Sequence, residues 1–284
     1  MAANVKVVDL NADMGESYGR WDLGDDAGVM QHVSSVNIAT GYHAGDPSTM
    51  RATVQRAVEL DVCIGAHVAW PDLMGFGRRK MTVPPEQVQD MVLYQIGALM
   101  AFVDSAGGRL GHVKPHGALY VQASQDATIA AAVIAAVAEV DPDLPLYQLD
   151  DRFTGLGRER GVRIVPEGYP DLHYDAEGHL LIEPKKLAWD PDVVGSRAVE
   201  LVTQSHVTAK DGTDLAMRVE SLCVHGDAPN GVDVAAGAAR HLREAGIELR
   251  PIGRKARSGE LPPGDAVSNV DREDAREGSS HGNH

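Results

Sequence analysis

Cysteine is nearly absent from this chain: there are two, Cys63 and Cys223, each inside an apolar run. With no CxxC pair and no multi-cysteine framework, a zinc ribbon and a disulfide scaffold are excluded, and two reduced, buried thiols are expected. Basic residues are outnumbered, 26 against 41 acidic ones, for a net charge of −15. A nucleic acid or an anionic membrane would require a basic face, so neither is expected as a partner. No apolar run approaches the length of a membrane span, and Met1–Val5 lacks the charged and apolar segments of a leader, so a cytoplasmic location is expected. Aromatic residues make up only 5 %, so the core must be built mainly from Ala, Val, Leu and Ile, which a 43 % apolar content permits. Neither GxGxxG nor GxxxxGK[ST] follows any apolar run, which weakens the case for a nucleotide-binding open sheet.

What is present is a recurrence. Six apolar runs of strand length each lead into a polar cluster: Val5–Leu10 into Asn11-Ala12-Asp13-Met14-Gly15-Glu16, Val36–Ala39 into Gly41–Asp46, and Val62–Ala66 into His67. His112–Lys114 leads into Pro115-His116-Gly117, Val162–Val165 into Pro166-Glu167-Gly168, and Leu222–Val224 into His225-Gly226-Asp227. Segments with helical spacing lie between them, among them Thr49–Leu60, Pro84–Leu99, 126–140, Pro191–Ser205 and Asn230–Ala245. A seventh apolar run, Leu146–Leu149, completes seven strands interleaved with helices. Ligand and catalytic groups of parallel α/β folds sit at the carboxyl ends of strands. Polar clusters after nearly every strand, rather than at one switch point, favour an α/β fold of the closed kind, a seven-stranded parallel β/α barrel. Gly168–Asp190 is too long for a plain connection and is expected to hold a small hairpin with His179–Ile182 as one arm. The barrel is expected over 1–252, and 253–284, charged and poor in apolar residues, is expected to be a disordered acidic and polar tail.

Several clusters point to chemistry. Asp9, Asn11 and Asp13 alternate, so in an extended segment their side chains share one face, with Glu16 nearby. Paired carboxylates separate in pKa, so Asp13 and Glu16 are read as base and acid. His43 and His67 end different strands, and with Asp13 they would make a His/His/Asp set for a divalent metal. His43 and His116 join the catalytic set, and Asn11 the binding set. Asp46 suits a site acid and the N-cap of the following helix equally well. Lys114 closes an apolar strand, where an ammonium without a partner is costly, so a substrate or nucleotide anion is expected beside it. His225 and Asp227 share the same two-residue offset after the last strand. Arg78-Arg79-Lys80 reads as a solvated loop, or as an anion-binding one if it folds over the mouth, in which case Arg78 and Arg79 contact substrate or phosphate.

The clusters Asp9–Glu16, Asn37–Asp46, Gly65-Ala66-His67, Gly75–Arg79, Tyr94–Leu99, His112–Tyr120 and Val224–Asp227 resemble the LamB/YcsF family, the A-type component of 5-oxoprolinase, over roughly residues 5–252. The resemblance implies a barrel related to the polysaccharide deacetylase fold. It also implies ATP-dependent opening of the 5-oxoproline lactam to glutamate, together with the other 5-oxoprolinase subunits, B and C. Pro166-Glu167-Gly168 departs from the Ala-Asp-Arg-like cluster of that family: a carboxylate is kept and the arginine is not. A related lactam or amide therefore stays open as substrate, as does self-association into a homo-oligomer. Two rival readings remain: a metal-dependent deacetylase or amidohydrolase acting without ATP, and a non-catalytic substrate-binding subunit.

Overall fold

The computed structural model describes residues 5–181, 187–254 and 256. The chain begins β1 (Val7–Met14), α1 (Asp26–Val29), β2 (Ser35–Ala39), α2 (Pro47–Glu59), β3 (Cys63–Val68), α3 (Pro85–Ser105) and β4 (Leu110–Pro115). It continues through α4 (Gly117–Gln125), α5 (Ala127–Val140), β5 (Leu146–Gln148), α6 (Thr154–Glu159), β6 (Ile164–Gly168), β7 (His173–Tyr174) and β8 (Leu180–Leu181). Then follow α7 (Pro191–Gln204), β9 (His206–Thr208), β10 (Asp214–Ala216), β11 (Ser221–His225), α8 (Gly231–Glu244) and β12 (Glu248–Leu249).

Strands β1 to β6 pair in sequence order, all parallel, and β11 lies between β6 and β1. The register of that closure sets Asp9 opposite Ser221 and Asp13 opposite His225. The expected seven-stranded parallel barrel is therefore the observed one, with β12 added beside the start of β1. The helices start where the local chemistry dictates. Asp46 caps α2 and Asp126 caps α5, each accepting from backbone N–H groups of the first turn, and Pro47, Pro85 and Pro191 open their helices. On α3 the apolar stripe Val88, Val92, Ile96, Leu99 and Val103 is fully buried, which is what holds a helix against a barrel. Among the described residues no single helix is long and apolar enough to cross a membrane.

The barrel interior is polar. Val8, Leu10 and Ala12 of β1 belong to the apolar core, while the alternate residues Asp9, Asn11 and Asp13 reach across to β4, β5 and β6. At the deepest level Asp9 accepts from the hydroxyls of Ser34, Ser35, Tyr147 and Ser221 at 2.6–2.8 Å. Burial pushes its carboxyl up, and those four hydroxyls oppose the shift. One level higher, His112 stacks on Tyr147 with ring centroids 4.4 Å apart and places Nε2 2.6 Å from Asn37 Oδ1. Gly65 permits this, because a Cβ there would collide with the imidazole.

His112 gives a pH prediction. Burial, then the charges of Lys114 and His67, hold its ring down to about 3. An unfolded histidine titrates near ~6.5, so below that the unfolded chain takes a proton which the folded one refuses. Stability is complete above ~6.5 and is lost as pH falls toward ~3, at up to ~1.4 kcal/mol per pH unit. Asp26, raised by burial to about 6, acts in the opposite direction below that value and belongs to both proteins compared. In urea unfolding at pH 7 and pH 5, the wild type is expected to lose ~2 kcal/mol more than His112→Gln. Equal losses would show that His112 is not held neutral.

The structure departs from the expectations in four places. Strand β1 continues to Met14 instead of stopping at Leu10, because Asn11 and Asp13 find partners inside the barrel. Helix α4 is separate from α5 and bent from it by 112°. The expected hairpin is β7–β8, with arm Leu180–Leu181 and Ile182 outside the described residues, and a further hairpin, β9–β10, lies before β11. The barrel also reaches past 252. Gly253 packs against the backbone of Gly111, Arg254 pairs with Asp141 and Asp143 at 2.9 and 3.1 Å, and Ala256 is buried. Most of the expected tail, 255 and 257–284, lies outside the described residues. Truncation after Ile252 should lower the melting temperature by about 2–4 °C, consistent with a loss of ~1 kcal/mol, as read by differential scanning calorimetry. No change would return the boundary to 252.

Candidate active site

A cleft of about 570 Å³, its open mouth included, lies at the carboxyl ends of the strands and is lined by Asp13, Glu16, His67, Arg78, Lys114, His116, Tyr169, His225 and Asp227, among others. Its floor is a chain of charges. Lys114, at the end of β4, lies 3.2 Å from Asp13 Oδ1, 3.2 Å from Glu167 Oε1 and 3.3 Å from Asn11 Oδ1. Burial alone would lower this ammonium's pKa; the carboxylate of Asp13, with Cys223 and Glu167, drives it well above the usual lysine value. The anion expected beside Lys114 is thus supplied by the chain itself, and the expectation of a substrate anion gives way to a buried ion-pair network. Its partner Glu167 is saturated: Asn11 Nδ2 donates to Oε1 at 2.6 Å, and Tyr120 and Tyr169 donate to Oε2 at 3.0 and 2.6 Å.

Of the two carboxylates paired with Lys114, Asp13 is the one that lines the cleft. Its Oδ1 accepts from Asn37 Nδ2 at 2.9 Å and from Lys114, while Oδ2 lies 3.2 Å from His67 Nε2 and 3.9 Å from His225 Nε2. Burial would raise this carboxyl, but His67, Lys114 and His225 outweigh it and hold Asp13 well below the usual carboxylate range. Its neighbours thus favour the ionised form of Asp13. Of the expected base and acid pair, it fits the anionic role. His225 has what a proton carrier needs: Asp171 Oδ2 accepts from its backbone N–H at 2.8 Å and lies 2.9 Å from its Nδ1, leaving Nε2 toward Asp13.

On the other wall, Glu16 Oε1 lies 3.0 Å from His43 Nε2 and 3.6 Å from His116 Nδ1. The His43 and His116 rings stack with centroids 3.8 Å apart. Burial, first, and the neighbouring imidazoles hold both well below the usual histidine value. Donor atoms of Glu16, His43, His67 and His116 all fall within 4.8 Å of one another, a set able to hold a divalent metal, and Asp13 forms a second such set with Cys223 and His225. The expected trio Asp13, His43 and His67 is not one of these sets, although Asp13 Oδ2 lies 3.2 Å from His67 Nε2.

The remaining expected residues divide. Arg78 lines the cleft, its guanidinium 5.2 Å over the Phe76 ring. Arg79 turns away to pair with Asp72 and is exposed. Asp46 resolves to the cap: it accepts from Ser48, Thr49 and the backbone of Gly19, and these contacts lower its carboxyl to about 2. Asn11 lies beneath the cleft as a strut, and His43 behind His116. Sequence reading missed Asp171, Tyr120 and Tyr169 as site residues. Asp171 lies three residues past β6 in an irregular loop, where no periodicity marks it.

A model of the LamB/YcsF family matches residues 8–257. A Methylococcus capsulatus protein, named as the A-type component of 5-oxoprolinase, is 43 % identical over 251 residues, covering 87 % of this chain and 96 % of the relative. The Pyrococcus furiosus protein of the same name is 42 % identical over 249 residues, 87 % and 98 % of the two chains. Among solved structures, a lactam utilization protein from Thermus thermophilus superposes with a TM-score of 0.78 at 43 % identity, covering 86 % of this chain and 99 % of the other.

Proposed function

Since this chain belongs to the LamB/YcsF family, we propose that it is the ring-opening component of a 5-oxoprolinase, hydrolysing the lactam of 5-oxoproline or a close relative to the amino acid. The observation that carries the reading is the pair of cleft groups Asp13 and His225, 3.9 Å apart, the carboxyl of the first held well below the usual range and the ring of the second held by Asp171. Opening a lactam requires water to lose a proton and the ring nitrogen to gain one. His225 Nε2 moves that proton, and the Asp13 carboxylate stabilises the imidazolium in between. Arg78 has no carboxylate partner among the described residues and receives the substrate's carboxylate at the rim. Lys114 holds Asp13 in place and does not meet substrate.

The ATP-consuming step falls to a companion, expected to be the B-type or C-type component of the enzyme. The chain has no Walker-type loop, and Asp13, Glu16 and Asp227 make the cleft unfavourable to a triphosphate. The relatives' names make them one subunit of several. Trp21 and Met74, 74 % and 93 % exposed on the loops after β1 and β3, offer apolar contact to such a companion. The test is glutamate release from 5-oxoproline, measured with the chain alone, with companions, and with companions plus ATP. Release only in the last supports the proposal. ATP-free turnover of an N-acetylated sugar by the chain alone would replace it with the deacetylase reading. Full complex activity from a chain carrying both Asp13→Asn and His225→Ala would leave only a binding role.

A further inference from the structure

His67 Nε2 and His116 Nδ1 face each other directly, and when both rings are neutral neither of these nitrogens carries a proton. His67 Nδ1 lies 3.1 Å from the carbonyl oxygen of Lys114, and His116 Nε2 lies 2.9 Å from that of Phe76. A carbonyl oxygen only accepts, so each of those nitrogens carries its ring's proton, and in neutral imidazoles the opposite nitrogens are bare. Those bare atoms, His67 Nε2 and His116 Nδ1, are 2.9 Å apart. Carboxylate oxygens close in from both sides: Asp13 Oδ2 is 3.2 Å from the first and Glu16 Oε1 is 3.6 Å from the second. Buried lone pairs gathered this closely repel unless a proton or a metal cation lies among them, and three imidazoles with a carboxylate around one point suit the metal.

The surroundings are built to hold this arrangement. Phe76 and Gly77 both adopt left-handed backbone, φ +53° and +67°, which bends the loop so that the Phe76 carbonyl meets His116. A Cβ on Gly77 would sit 2.8 Å from the His116 ring and 2.9 Å from His43 Cβ, so only glycine lets the loop press on the imidazole pair. Among the described residues His43 Nδ1 is buried without a hydrogen-bond partner, so no hydrogen bond on that side sets its tautomer, and Nε2 can present a lone pair to an ion shared with Glu16. Backbone carbonyls fixing the far nitrogens are the usual support of metal-bound histidines.

We propose that Glu16, His43, His67 and His116 bind one divalent transition-metal ion of the zinc class. Three imidazoles and a carboxylate suit zinc, or cobalt in its place, rather than magnesium or calcium, which prefer all-oxygen sites. Ligands of one such ion span up to about 4 Å, so a set within 4.8 Å closes with side-chain shifts of less than about 1 Å. An ion there would polarise a carbonyl or activate water in the cleft. The site lies in the cleft proposed for ring opening, but its occupancy is measured without turnover, so either reading can fail alone.

The experiment strips the full chain with chelator and titrates it with Zn²⁺ and Co²⁺, reading heat, bound metal after gel filtration and the visible spectrum of cobalt. One equivalent should bind, with cobalt bands of a low-coordinate nitrogen-rich site. His116→Ala and Glu16→Gln should each weaken binding by more than the ~10–100-fold that losing a supporting contact causes. His179→Ala, in the exposed Asp175, Glu177 and His179 group, and His225→Ala, in the Asp13 and Cys223 group, should bind as the wild type does. His116→Gln serves if His116→Ala fails to fold, as judged by circular dichroism. Absence of stoichiometric binding, or unchanged affinity in the His116 and Glu16 variants, overturns the proposal. So does a proton shared between His67 and His116 in nitrogen NMR of protein that remains metal-free under excess zinc.

Discussion

Replacing Lys114 by methionine is expected to destabilise the protein by ~3–5 kcal/mol, although methionine keeps most of the stem's volume. The reason is what stays behind: Asp13 and Glu167, both buried, each lose a cation 3.2 Å away. Carboxylates without that charge must be desolvated or protonated, and the second costs more as pH rises. Chemical unfolding at pH 7 measures the loss. Adding Glu167→Gln to Lys114→Met should return part of it, since one uncompensated charge is then removed. If the single variant is as stable as the wild type, the ammonium is not a structural partner of the two carboxylates, and the description of the barrel floor is wrong.

Asp13→Asn is expected to lower the turnover of the assembled enzyme by ~10³–10⁴-fold, within the range that loss of acid–base support produces. The amide has nearly the shape of the carboxylate but cannot stabilise an imidazolium on His225, 3.9 Å from Oδ2, or balance Lys114. His225→Ala should cost a similar factor, and the double variant little more, because the two act as one unit. Asp46→Asn is the contrast. It alters a helix cap next to the cleft, and should shift stability by ~1 kcal/mol or less with unchanged activity in the folded protein. Steady-state assays with folding checked by circular dichroism decide between these. Near-normal activity in Asp13→Asn would remove this carboxylate from the chemistry.

Local order was written into the chain itself. Runs of three to six residues alternate with helical spacing, and Asp-Pro or Pro-Pro pairs open several helices, which is enough to specify a β/α repeat. The polar residues that end those runs marked one face of the barrel, because only strand ends can carry them without burying charge at random. The position of Asp13, His67, Lys114, His116 and His225 at the cleft was legible for that reason.

Tertiary structure alone decided what these residues touch. Whether Lys114 awaits a ligand or is satisfied internally depends on Glu167, 53 positions away, reaching the same point across the barrel. Whether Asp46 is an acid or a cap depends on the direction of one side chain, and it turned to Ser48, Thr49 and Gly19. Asp171 joined the site because an irregular loop folds back onto β11, and no periodicity records such a return. The tautomers of His67 and His116 follow from two backbone carbonyls, one at the end of β4 and one in the loop after β3. Periodicity reports which way a side chain faces along its own element; charge pairing and protonation depend on which distant elements face it, and that is set only when the barrel closes.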